Sequence, residues 1–270
     1  MDYALGLARA FAGAILFGLP LLMTMEMWSI GLNAQPARLL LFLIVNFVIL
    51  VILSRFGGFE PTASLAEDML DALAAYGVGI VAAALILTLF GLAGPRTPLD
   101  ELVGMVAVQS VPASFGAMIA RKQLSGGEAE QRDEDQKARA AGYSGQLFLM
   151  VAGALFLAFN VAPTEEVVLI GLKMTAWHSL ALMAFSLLML HALVFAIGLA
   201  GQEEAPEGYG PMRLFLAYTL PGYAIALTIS AYILWTFGSL DGNAATSIVG
   251  SLVVLGFPAS IGAAVARLVI

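Results

Sequence analysis

A chain of 270 residues with 60% hydrophobic and only 11% charged side chains, at mean hydropathy +0.92, is too apolar for a water-soluble domain. Its net charge of −7 comes with no basic patch to neutralise phosphates, which sets nucleic acid aside as a partner. Cysteine is absent, so disulfides and thiolate metal sites are excluded too.

No secretory signal is expected at the start, because Asp2 stands where a basic region would and no small-residue cleavage site follows. Charge-poor apolar runs then predict eight transmembrane helices, at roughly 6–27, 38–57, 72–93, 101–121, 144–163, 174–200, 213–237 and 246–267. Each is long enough for about 30 Å of hydrocarbon, and strands with an unpaired edge in lipid are forbidden, so the fold class is all-α and polytopic. Between the second and third runs, Pro61 followed by Ser64-x-x-Glu67 reads as a capping box and predicts a separate short cytoplasmic helix within 59–71. Its counterpart, 202–211, reads as plain loop. The polar segment 125–142 reads as a charged linker between a first four-helix repeat, 1–124, and a second, 143–270.

The two repeats are visible as matched residues. Shifted by 140 positions, Ala12-Gly13-Ala14 falls on Ala152-Gly153-Ala154, Thr24 on Thr164, Glu26 on Glu166, and Ile30-Gly31-Leu32 on Ile170-Gly171-Leu172. At 147, Tyr76 meets Tyr223 and Phe90-Gly91 meets Phe237-Gly238. At 146, Pro112-Ala113-Ser114 meets Pro258-Ala259-Ser260, and Ala120-Arg121 meets Ala266-Arg267. Matches of Glu, Pro, Tyr and Arg in one order point to tandem duplication. Four helices per repeat keep both copies in one direction, so the expected pseudo-two-fold axis runs along the membrane normal.

The basic residues divide unevenly between the sides. Arg9, Arg55, Arg121, Lys122, Arg132, Lys137, Arg139, Arg213 and Arg267 fall on one side, and only Arg38, Arg96 and Lys173 on the other. The positive-inside rule then puts both termini in the cytoplasm.

Glu26 and Glu166 are the first candidates for chemistry. Each stands at the outer end of the first helix of its repeat, flanked by apolar sequence. A carboxylate beside hydrocarbon is costly unless water, a donor or a cation meets it. Across the pseudo-axis the pair could bind a cation or share a proton, with Thr24, Thr164 and Glu165 as further ligands. The competing reading leaves both acids in the headgroup region as helix caps. A second signature, Pro-Ala-Ser-x-Gly-Ala-x-x-Ala-Arg, is carried by Pro112 and Ser114 and again by Pro258 and Ser260. Helix packing accounts for it, and a kinked gate is the functional alternative. Asn46, Gln109, Asn160, Ser186 and His191 are polar residues within helices and read as interhelical glue. Asn46 and His191 are also candidates for an ion path, and Tyr76 and Tyr223 read as packing. His178 reads as interfacial. No cofactor is expected: two histidines on one helix cannot hold paired haems across a membrane, and no lysine lies in a final helix for a retinal Schiff base. No phosphate loop, Ser-His-Asp set or HExxH occurs, so an enzyme is not expected.

The stretch Phe17-Gly18-Leu19-Pro20-Leu21-Leu22-Met23-Thr24-Met25-Glu26-Met27-Trp28, with Ala162-Pro163-Thr164-Glu165-Glu166, resembles a family of bacterial integral membrane proteins catalogued only as a domain of unknown function. The resemblance covers nearly the whole chain and implies a multipass inner-membrane protein, without supplying an activity or substrate. The sequence reading is therefore passage of a small cation or proton through a bilayer protein. The alternative is a non-transporting module that binds lipid or a partner protein. A homo-oligomer stays open, since a duplication either replaces an ancestral dimer or leaves two chains to pair.

Overall fold

The computed structural model describes residues 2–57, 64–124, 142–195 and 210–269. Every element among them is helical, and eight helices are long and apolar enough to cross a membrane. The chain divides into two compact units, Met1–Lys137 and Ala138–Ile270. The first holds α1 (Asp2–Leu22), α2 (Met25–Asn33), α3 (Pro36–Gly57), α4 (Leu65–Leu89) and α5 (Leu99–Leu124). The second holds α6 (Gly142–Val161), α7 (Glu166–Lys173), α8 (Ala176–Phe195), α9 (Pro211–Thr236) and α10 (Ala245–Val269).

The spans agree with the apolar runs, and three details differ. The expected first helix over 6–27 stops at Leu22, and α2 begins at Met25. The expected fifth helix over 144–163 likewise stops at Val161, before α7. With 9 and 8 residues, α2 and α7 are about 13 Å long and cannot span hydrocarbon. The capping box at Ser64 is real, the Ser64 hydroxyl accepting the Glu67 N–H at 3.3 Å, but it starts α4 itself rather than a separate helix. Asp68 and Asp71 of that segment are buried inside the unit: Arg55 Nε donates to Asp68 at 2.7 Å and the Ser54 hydroxyl to Asp71 at 2.9 Å. The expected linker 125–142 lies outside the described residues except for Gly142, which opens α6; loop 202–211 is described only from Gly210.

In each unit the last helix is the hub. α5 packs against α1, α2, α3 and α4, and α10 against α6, α7, α8 and α9. Small residues make this close packing possible. A Cβ added at Gly116 would stand 2.6 Å from the Gly13 carbonyl oxygen, and one at Gly31 would stand 2.6 Å from the Met105 Cα. In the second unit, Gly262 meets Gly153 and Gly250 meets Gly171 in the same bare-backbone way. Gly13, Gly31, Gly104 and Gly116 map onto these four glycines at shifts of 140 for the first helices and 146 for the last. The helices before the hubs also end alike. Gly91 (φ 73°) and Gly238 (φ 77°) adopt the left-handed conformation that closes α4 and α9 in Schellman turns. There Leu92 N–H bonds to the Leu87 carbonyl, and Ser239 N–H to that of Leu234, both at 2.9 Å.

The outward faces are apolar. Leu40, Ile44, Val48 and Ile52 are exposed at four-residue spacing along α3, as are Met69 and Leu73, with Ile80, along α4. Water would not tolerate so much contiguous apolar surface, whereas lipid matches it.

Candidate functional site: a break in the first helix of each unit

The Met23–Thr24 break is built from backbone geometry. Met23 N–H still reaches the Leu19 carbonyl at 3.1 Å, but Thr24 N–H turns back to that of Leu21, also at 3.1 Å. Thr24 is extended (φ −88°, ψ 130°), which ends the helical path. Its hydroxyl donates to the Leu21 carbonyl at 2.9 Å, leaving the oxygen lone pairs for another group. α2 starts at the next residue, and Glu26, half-buried, occupies its first turn beside fully buried Met27. In the second unit Thr164 repeats the turn: N–H to the Val161 carbonyl at 3.2 Å and hydroxyl to the same oxygen at 2.9 Å. Here Pro163, which has no N–H, enforces the stop. Glu165 caps α7 without a side-chain bond, Glu166 opens it, and both are exposed.

A helix end leaves up to four carbonyls without intrahelical partners, and a helix start leaves up to four N–H groups. Each break thus has helix-end carbonyls, a threonine oxygen and a carboxylate close together in sequence, the carboxylate at the positive end of a short helix. Among the described residues no group of three or more His, Asp and Glu is placed to hold a metal ion.

The break at Thr24 lies at one end of the first unit, with Thr24 half-buried and Met23 and Met25 on either side exposed. Leu22, Ala83, Ile86, Leu87, Ala93 and Met105 form the core there, with Trp28 against it.

Pro112 and Pro258 lie inside uninterrupted helices, and the serines beside them bond locally. Ser114 donates to the Val111 carbonyl at 2.6 Å and Ser260 to that of Phe257 at 2.7 Å, so each hydroxyl serves its own helix beside Pro112 or Pro258. Both serines are fully buried in their units. The side chains of Arg121 and Arg267 lie outside those described. Three of the polar residues read as interhelical glue also bond within their own helices. Asn46 donates to the Phe42 carbonyl at 2.6 Å, Asn160 to that of Phe156 at 2.8 Å and Ser186 to that of Leu182 at 2.7 Å, each four residues back. Tyr76, read as packing, also bridges helices through its hydroxyl, which donates to the Leu43 carbonyl at 3.0 Å. His178 is exposed and closes the start of α8, accepting the Thr175 N–H at 3.3 Å.

His191 does bridge helices. Its Nδ1 stands 2.8 Å from the Thr219 hydroxyl, at the end of a π turn (Phe215–Thr219) within α9. Sequence reasoning missed that turn and the Arg55–Asp68 and Ser54–Asp71 pairs, although two aspartates three apart on a helix face were a usable signal.

A family model of integral membrane proteins, DUF2391, matches residues 6–270. The chain belongs to that family. No curated protein and no solved structure matches it. DUF2391 membership fixes what the apolar faces already indicated: this is an integral membrane protein with multiple spans. The DUF2391 match covers both breaks, since it runs from the first turns of α1 to the end of the chain.

Proposed function

We propose that this DUF2391 protein passes a small cation or proton across the membrane, as a channel or secondary transporter, with Glu26 and Glu166 as the acidic groups of its ion sites. The observation that carries the reading is the interrupted first helix of each unit, followed within two residues by a carboxylate. Irregular backbone is tolerated in membrane proteins where it is buried in protein or lines a cavity, and discontinuous helices are a recurrent way to present carbonyls and helix termini to ions. The reading takes the two units as copies of one four-span module, supported by the shared element order and the four corresponding glycine contacts. It places the protein in a bacterial inner membrane with both ends cytoplasmic, so that the breaks face outward. No chemical conversion of a substrate is part of it.

The test is ion flux in proteoliposomes under gradients of H⁺, Na⁺, K⁺ and Ca²⁺. Wild type is expected to carry one of these ions, and the Glu26→Gln/Glu166→Gln double variant to lose flux by about tenfold or more while remaining folded. Unchanged flux in the double variant would remove the acids from the mechanism. A folded wild type that carries no ion would turn the assignment toward a non-transporting module.

A further inference from the structure

We infer that the Thr24 break of the first unit is an alkali-cation site to which the Gln109 side-chain amide contributes a ligand. This deepens the transport reading and rests on it. Gln109 lies in the middle of α5, fully buried, and neither its Oε1 nor its Nε2 has a hydrogen-bond partner. An amide left in that state costs stability, and such exceptions call for a function or a missing guest.

The contacts on either side of Gln109 locate it. A Cβ on Gly18 of α1 would stand 3.4 Å from the Ala113 Cβ, and one on Gly31 of α2 would stand 2.6 Å from the Met105 Cα. Met105, Gln109 and Ala113 are spaced four apart, on one face of α5. Gln109 therefore stands opposite the stretch between Gly18 and Gly31, which contains Thr24 and Glu26. Helical side chains lean toward their own N-terminus, which carries the amide from the level of Ala113 toward that of Met105.

The ligand class follows from charge. The amide oxygen, the carbonyls at the end of α1 and the Thr24 oxygen are neutral donors. Glu26 is the one carboxylate in the sequence between Asp2 and Glu60. One negative charge among neutral oxygens balances a monovalent cation, whereas divalent ions draw on several carboxylates. Na⁺ or K⁺ therefore fits better than Ca²⁺. Glu101, exposed and one turn before Met105 on the same face, adds a negative charge at the surface that would attract cations.

The second unit lacks this ligand. At a shift of 146, Glu101, Met105, Gln109 and Ala113 become Ser247, Ser251, Leu255 and Ala259, so a fully buried leucine stands where the amide does. The two breaks are alike in backbone and unlike in chemistry, and only the first of the two ion sites has the amide ligand.

The experiment pairs flux with thermal stability for Gln109→Leu, which installs the residue of the second unit. In proteoliposomes Na⁺ or K⁺ flux is expected to fall by about tenfold or more. In detergent, NaCl or KCl should raise the Tm of wild type above its value in choline chloride and leave the variant unmoved. In choline chloride the variant should melt no lower than wild type, because it removes an unsatisfied amide. Flux and salt response like wild type in Gln109→Leu, with flux lost in Glu26→Gln, would overturn the amide ligand and leave transport standing. Should wild type carry no ion, the transport reading fails, and the salt-dependent Tm still decides the site: its absence overturns it, and its loss in the variant alone upholds it. If Gln109→Leu does not fold, Gln109→Met replaces it. A choline-chloride Tm below wild type in every folded variant would make the amide structural and overturn the proposal.

Discussion

A methyl group added at Gly31 would stand 2.6 Å from the Met105 Cα and 2.7 Å from the Gly104 carbonyl carbon, both backbone atoms that cannot swing aside. Gly77, in the middle of α4, has nothing within 4 Å of the same imagined methyl. Gly31→Ala should therefore destabilise by about 1–3 kcal/mol through overpacking. Gly77→Ala should stabilise by about 0.5–1 kcal/mol, by restricting the unfolded chain and favouring helix. Melting curves of the purified proteins in detergent check both; equal effects would mean that the α2–α5 contact is looser than the backbone distances require. The polar residues show what one letter of sequence withholds. Asn46, Asn160 and Ser186 are visible as polar groups in apolar helices, but the choice of acceptor is made by rotamer. In each case the carbonyl four residues back takes the proton.

At the scale of the element, α9 gives a causal chain that begins with a proline. Pro221 has no N–H to give the Ala217 carbonyl, four residues earlier, and the helix widens there into a π turn over Phe215–Thr219. Leu220 N–H reaches back five residues to the Phe215 carbonyl, and the Tyr143 hydroxyl from α6 donates to the Ala217 carbonyl at 2.7 Å. Tyr143→Phe should then cost about 1 kcal/mol, and clearly less in a Pro221→Ala background, where a backbone N–H returns. A double-mutant cycle on thermal stability reads the coupling; a cost that is independent of residue 221 would separate the tyrosine from the proline. The eight spans were legible because about 20 apolar residues in a row have few other uses. The break was not legible in the first unit, where Met23-Thr24-Met25-Glu26-Met27 continues an apolar run and the turn depends on one extended threonine. In the second unit Pro163 was a visible stop. Ser64 announced a helix start, but its continuity into α4 depends on Arg55 and Ser54 reaching Asp68 and Asp71 from the neighbouring helix, a tertiary fact. Gln109 was visible as a polar residue, and its place opposite the break emerged only from the register of α5 against Gly18 and Gly31.

For the whole molecule, the count of spans controls sidedness. If all eight candidate spans among the described residues cross, the chain returns to its starting side, and α2 and α7 are too short to alter that parity. In the proposed topology, the nine-to-three division of Arg and Lys assigns that side to the cytoplasm. Because the chain has no cysteine, single introduced thiols report without background. Pro95→Cys and Asp241→Cys should label with an impermeant maleimide from outside intact cells, and Lys137→Cys only after permeabilisation; the opposite pattern would invert the topology and move both breaks to the inner face. Each unit is also closed by its own first and last helices, α1 packing on α5 and α6 on α10. During synthesis α1 enters the bilayer long before its principal partner exists, so the bare backbone at Gly13 and Gly18 waits uncovered while three further helices are made. Insertion and assembly are thereby separated in time. A ribosome that stalls before the end of α5 or α10 leaves a set of correctly threaded helices with no hub to gather them.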